Sequence, residues 1–319
     1  MLLLPFVAWA SAVEIGGIYY NLVEISKVAE VTRKPSGQYH GAILIPEKVT
    51  YEGTEYKVTS IGSCAFEGCS NLTYVKIPNS VTSIGRAAFC WCDILSSVVI
   101  PKSVTSIGYG AFQFCSGLTS VSIANSVTSI EDYAFQGCSG LTSVVIPNSV
   151  TSIGRWTFGS CYGLTSVTIG SGIKSISSAA FAACKNLEDV YCYAETVPST
   201  QTSAFYNTLI ENSKLHVSAA SINAYKANEP WNSFGEILPI SGVGIQEVSD
   251  RNMLIQSRDG VLTVDGADDG TQVNVYTIDG RQAGSAVSRN GQATVSPKLQ
   301  PGSVAIIKIG DRSIKVVIK

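Results

Sequence analysis

Nine cysteines and two histidines are the side chains in this chain best suited to metal or nucleophilic chemistry. Six of the cysteines recur every 23 residues, at Cys69, Cys92, Cys115, Cys138, Cys161 and Cys184. A structural zinc would need about four ligands gathered at one point, typically from close pairs. The chain has no C-x-x-C, and Cys90-Trp91-Cys92 stands alone. One thiol per repeat is better explained as a small buried hydrophobe than as a metal ligand or a disulfide framework. Cys64, Cys90 and Cys192 lie off this ladder, and the sequence leaves open whether one of them pairs. His40 and His216 sit in no H-E-x-x-H or other metal-ligand spacing. No phosphate loop, dinucleotide fingerprint or G-x-S-x-G elbow is present, and the many Ser and Thr hydroxyls have no nearby base in sequence. Asp268-Asp269 offers two carboxylates where calcium takes about six to eight oxygens, so a solvated turn is expected there. These residues predict no catalytic group, no metal and no cofactor.

The elements that would carry these side chains repeat with the cysteines. Phe66, Phe89, Phe112, Phe135, Phe158 and Phe181 keep the same 23-residue spacing, and Phe205 follows after 24. Leu72 to Leu187, Val75 to Val190 and Ile61 to Ile176 form three further ladders in phase. A period of this length marks a repeat solenoid, in which each unit buries its apolar face only against its neighbours. Within a unit, Leu72-Thr73-Tyr74-Val75-Lys76-Ile77 predicts a short strand with Val75 and Ile77 inward and Tyr74 and Lys76 outward. Pro78 stops it. The β-branched stretch Ser80–Ile84 predicts a second strand, and Ala65–Cys69 a single helical turn.

The ends differ. Residues 1–12 have an apolar run and an Ala10-Ser11-Ala12 cleavage pattern without a positive start, which predicts an export signal lacking its first residues; a buried strand is the alternative. The run is too short to span a membrane, and no cysteine near the cleavage point would take a lipid. Residues 13–58 lack the repeat and predict a β-rich cap, because a solenoid end exposes open strand edges. Residues 59–240 hold the repeats and close on Tyr225, Trp231 and Phe234. From 241 to 319, alternating strands and turn signals predict a small antiparallel β-sandwich, reached through a hinge at Gly242 and Gly244.

Charge excludes some partners. Lys plus Arg is 22 and Asp plus Glu is 24, so nothing favours nucleic acid or an anionic membrane. Two surfaces remain as candidates for ligand binding. On the outward side of the Leu-containing strand, Tyr74, Lys76, Ser120, Ser122, Thr168, Asp189 and Tyr191 stand among other small residues, with larger groups at the two ends. Around each Phe, the central repeats carry Arg86, Trp91, Tyr109, Phe114, Tyr133, Arg155, Trp156 and Tyr162, whereas the first and last repeats have mainly Ser, Gly, Ala and Cys there. If exposed, these residues have the composition of a binding hot spot; the alternative is that they fold down as extra core.

The unit I-P-N-S-V-T-S-I-G-x-x-A-F-x-x-C-S-G-L-T-S-V, almost complete at 77–97 and 146–167, resembles the BspA-like leucine-rich repeat proteins. That resemblance covers residues 13–240, from Ile15-Gly16-Gly17-Ile18 to Phe234, and implies a leucine-rich repeat solenoid wound as a right-handed superhelix. It also implies an exported protein, at the cell surface or outside the cell, that adheres to a host or microbial surface protein or glycan; a structural spacer without a specific ligand is the alternative. The C-terminal segment, through Val275-Tyr276-Thr277-Ile278-Asp279-Gly280-Arg281, Leu299-Gln300-Pro301-Gly302 and Lys308-Ile309-Gly310, is similar to the sorting domain of type IX secretion, which implies contact with that secretion machinery. It departs from that pattern at Ser303-Val304-Ala305, where a G-x-Y is usual.

Overall fold

The computed structural model describes residues 12–240, 254–258, 261–277, 281–300, 303–309 and 312–317. The predicted export segment, apart from Ala12, falls outside these residues, as does the hinge expected at Gly242 and Gly244.

The 23-residue period folds as a β-solenoid with two strand rows. One row places Ser83–Ile84, Ser106–Ile107, Ser129–Ile130, Ser152–Ile153, Ser175–Ile176 and Ser199–Thr200 side by side, parallel and in register. Only two residues per repeat join this row, fewer than the predicted Ser80–Ile84. Val81 N–H instead donates to Pro78 O at 3.1 Å, so a turn occupies the first half of that stretch. The other row holds the longer strands Leu72–Lys76, Ser97–Ile100, Ser120–Ile123, Ser143–Ile146, Ser166–Ile169, Asp189–Cys192 and Lys214–Val217.

At the start, the antiparallel strands Val13–Ile15, Ile18–Val23 and Val28–Thr32 lead into Thr54–Ile61, which pairs with Ser83–Ile84 and so extends the short-strand row. At the far end, Tyr225 on the helix Ile222–Lys226, with Trp231 and Phe234, is buried over the last repeat. A strand absent from the sequence expectation, Glu236–Pro239, adds itself parallel to Lys214–Val217.

The phenylalanines form one stack. Ring centroids are 4.9 Å apart at Phe66–Phe89 and widen to 5.5 Å at Phe181–Phe205, with near-parallel planes. Strands lie about 4.7–4.9 Å apart, so the phenylalanine column keeps strand spacing at its first end and exceeds it at its last. Tyr39 closes its first end at 4.8 Å, and Trp231 and Phe234 meet Phe205 edge-on at the last.

The cysteine ladder has a polar duty as well as a packing one. Each thiol after Cys69 donates to the carbonyl of the phenylalanine one repeat back: Cys92 to Phe66, Cys115 to Phe89, Cys138 to Phe112, Cys161 to Phe135 and Cys184 to Phe158, at 3.0–3.3 Å. In the last repeat Thr208 takes the thiol's place and donates to Phe181 O at 2.7 Å. A thiol is small enough for the close-packed interior and still serves a backbone acceptor. All nine cysteines are free, Cys90 and Cys192 being buried and Cys64 half-buried.

A second, smaller core belongs to the C-terminal part. Leu254–Arg258, Val261–Asp265 and Gln292–Val295 make one antiparallel sheet; Gln272–Thr277, Gln282–Val287, Val304–Ile309 and Arg312–Val317 make the other. Ile255, Val264, Val275, Val295 and Ile307 are buried between them, the layering of a sandwich. Ala305, at the departure from the sorting pattern, is among these buried residues.

Candidate functional site

The helical turn around each phenylalanine has two residues in the left-handed region, at fixed places in the repeat. One column runs Cys64, Ala87, Gly110, Tyr133, Trp156 and Ala179; the other runs Gly68, Trp91, Phe114, Gly137, Ser160, Ala183 and Asn207, all with φ between 50° and 72°. The geometry is forced by the coil. An N–H in this conformation points along the solenoid axis and donates to the next repeat, as Trp91 does to Gln113 O, Phe114 to Gln136 O and Tyr133 to Arg155 O at 2.7–2.9 Å. Glycine is the undemanding residue for such a position, and an L side chain there costs roughly 1–2 kcal/mol. Three places in the two columns are glycine, yet four central ones are Trp or Tyr or Phe.

These aromatics associate with one another across repeats. Trp91 stacks on Phe114 at 4.2 Å, Tyr109 meets Tyr133 at 5.2 Å, and the Arg86 guanidinium lies over the Tyr109 ring at 4.6 Å. Phe114 lies flat across the next member of its own column: a Cβ on Gly137 would fall 2.5 Å from Phe114 Cδ1, so glycine is what lets the ring down. Glu131 accepts from Tyr109 N–H and Asp132 from Arg155 N–H, so the strip's two carboxylates serve its backbone. Neither Arg86 nor Arg155 joins an ion pair among the described residues.

Both alternatives left open by the sequence are thus partly realised. Arg86 and Arg155 are exposed, as are Trp91 at 50 % and Tyr162 at 48 %; Tyr109, Phe114 and Tyr133 are half-buried by the stacking, and Trp156 is half-buried over Gly159. The result is one aromatic and arginine strip along the turn edge, standing outside the phenylalanine core.

The strand-face candidates divide. Lys76 is exposed, and Tyr74, Ser120, Ser122 and Tyr191 are half-buried. Thr168 and Asp189 were expected to face solvent and do not: each is only 7 % exposed. Asp189 is held under His216, whose Nε2 lies 2.8 Å from Asp189 Oδ1 while the imidazole stacks on Tyr191 at 4.3 Å. Thr168 stands in the register column between Val145 and Tyr191. Sequence scanning missed this His–Asp pair because the partners are 27 residues apart. Counting in repeats would have found it, since His216 is the register partner of Tyr191 on the next strand. A carboxylate-held imidazole is one part of a general base.

Among the described residues, no three His, Cys, Asp or Glu side chains gather as a metal site. Asp269, one of the two adjacent carboxylates at 268 and 269, accepts from Gly291 N–H at 2.9 Å and so fastens a turn. No described helix is long and apolar enough to cross a membrane.

Residues 47–130 and 111–228 match the family described as BspA type leucine rich repeat region. No curated protein matches the chain. Similar solved structures include a leucine-rich repeat protein from Bacteroides ovatus, 21 % identical over 72 % of this chain and 76 % of that one, with a TM-score of 0.45. A T. pallidum leucine rich repeat protein is 24 % identical over 53 % of this chain and 87 % of its own, also at 0.45. A leucine rich cell surface protein from Faecalibacterium prausnitzii is 20 % identical over 73 % and 96 %, at 0.36.

Proposed function

The chain belongs to the BspA type leucine-rich repeat family, and from that premise we propose that it is a non-enzymatic, exported protein that binds a surface protein or glycan through the strip on its turn edge. The observation that carries this is the placement of Trp91, Phe114, Tyr133 and Trp156 at left-handed positions where Gly68, Gly110 and Gly137 stand in the same columns. Side chains kept at a backbone cost point to use rather than to stability. Aromatic residues with arginine are also the groups that dominate binding energy when they sit together. The C-terminal sandwich serves display or sorting through the secretion machinery.

A second reading is favoured by the stacking itself: Trp91 on Phe114 and Arg86 on Tyr109 recover part of the strain, as a spacer protein would need. Changing Trp91, Phe114, Tyr133 and Trp156 together to Gly separates the two. Relief of backbone strain, roughly 1 kcal/mol per site, offsets lost stacking of about 0.5–1.5 kcal/mol per pair. The urea midpoint is therefore expected to stay near that of the parent. Binding to immobilised matrix proteins, intact cells or a glycan array is expected to fall to background. A parent chain that binds none of these, or a variant that binds as well as the parent, would refute the proposal. A variant that no longer folds would show the strip to be core.

A further inference from the structure

Part of the strand face is occupied by the chain itself. The turn Asn290–Gly291 in the C-terminal sandwich has φ of 53° and 77°, the left-handed pair that Asn-Gly turns adopt in hairpins. It reaches the outward side of the strands Ser97–Ile100 and Ser120–Ile123. A Cβ placed on Gly291 would lie 3.0 Å from Val99 Cγ2 and 3.9 Å from Ser122 Cβ. Asp269, which fastens this turn, is close enough to Tyr74 to add to the rise that burial gives the phenol's pKa.

Beside the contact is a cleft of about 300 Å³ that takes its walls from both parts of the chain, with Ser120, Ser143 and Thr168 on one side and Asp265 and Gln292 on the other. The longer-strand row is interrupted at this place, as it also is between Leu72–Lys76 and Ser97–Ile100. Ser97–Ile100 pairs with Ser120–Ile123, and Ser143–Ile146 pairs with Ser166–Ile169, but no ladder joins Ser120–Ile123 to Ser143–Ile146. Val121 is half-buried there, whereas Val75, Val98, Val144, Val167 and Val190 in the same ladder are buried.

We propose that the C-terminal sandwich is a removable cover for the part of the strand face around Ser120 and Ser122, where both are half-buried while Lys76, Val99 and Ser143 stay exposed, so that this part takes an external partner only when the sandwich lifts away. The turn meets Val99 and Ser122, and the cleft beside it is lined by serines, Thr168 and amides together with Val121, Val145 and Ile146, a mixed surface closer in character to a separable interface between domains than to a shared core. A tethered cover competes with any outside partner at the high effective concentration that tethering gives. The apparent affinity of that partner is then its intrinsic affinity multiplied by the fraction of molecules that are uncovered. The inference concerns the strand face and stands apart from the turn-edge strip.

The contact is tested by Ser122→Cys with Gly291→Cys in the full chain. The 3.9 Å separation lies within the roughly 3.5–4.5 Å that disulfides span, so mild oxidation is expected to join the two peptides, as read by mass mapping. Recovery of both thiols in alkylated form from a folded protein would overturn the docking. Cysteine strains a turn at this φ, so small-angle scattering on the unmodified chain supplies a second arm: one compact particle is expected, and an elongated ensemble refutes the cover. Gating is read with Ser120→Cys, whose maleimide labelling should accelerate about tenfold or more when Val99→Arg removes room for the turn. Equal rates would show that the face is open throughout and would overturn the proposal.

Discussion

Replacing Phe135 by Ala is expected to cost about 3–5 kcal/mol, the range for emptying a buried phenylalanine site. Phe135 is fully buried, with Phe112 at 5.2 Å on one side and Phe158 at 5.4 Å on the other. The neighbouring rings cannot close the gap. Each is fixed in its own repeat by the turn that carries it, and the next thiol along, Cys161, hydrogen-bonds to the Phe135 carbonyl. A solenoid's stability is a sum of repeat terms and nearest-neighbour contacts, so a central ring removes two stacking contacts at once. Against a total of roughly 5–15 kcal/mol, the loss should bring the urea midpoint down by about a fifth or more. It should also break the two-state transition into one for each side. A midpoint within about 0.5 kcal/mol of the parent, the range of neutral surface changes, would show that the column is not a continuous core.

That column was the most legible part of the sequence because identical residues must recur wherever identical coils stack. Phe, Leu, Val and Ile ladders all follow from this one constraint. The cysteines were legible as buried groups but not as donors; Thr208, in the thiol's place in the last repeat, was the available hint. The strip was half legible. Its residue types stood out, but the left-handed backbone beneath them was hidden, because Trp and Phe at such positions contradict local preference. Only Gly68, Gly110 and Gly137 recorded it. The His216–Asp189 pair and the Asn290–Gly291 contact depend on partners brought together by coil count or by tertiary docking, and no local pattern encodes either.

The repeats should also be sensitive to alkali, with an effect as large as that of an emptied phenylalanine site. Burial pushes the Cys69 thiol up to about 11 and the Cys184 thiol up to about 12, and it raises Cys115, Cys138 and Cys161 as well. In the unfolded chain these thiols ionise near pH 8.5. Well below that pH, at about pH 7.5 and under, both states hold the proton, and stability does not change on this account. Above it the unfolded state releases protons that the folded state keeps, so stability falls as pH rises, until each folded pKa is passed. The fall is about 1.4 kcal/mol per thiol per pH unit. Cys69 and Cys184 alone then remove about 5 kcal/mol between pH 8.5 and 10.5, and the central thiols add to it. Urea midpoints should be level to about pH 7.5, fall noticeably by pH 8.5, where half of the unfolded-state thiols have ionised, and drop steeply by pH 10. Cys138→Thr with Cys161→Thr copies the arrangement at Thr208, where a hydroxyl with no such ionisation makes the same kind of bond. This variant should reduce the slope by about 2.7 kcal/mol per pH unit. A parent midpoint that stays level to pH 10, or a variant with the parent's slope, would show that the thiol ladder does not hold its protons in the folded chain.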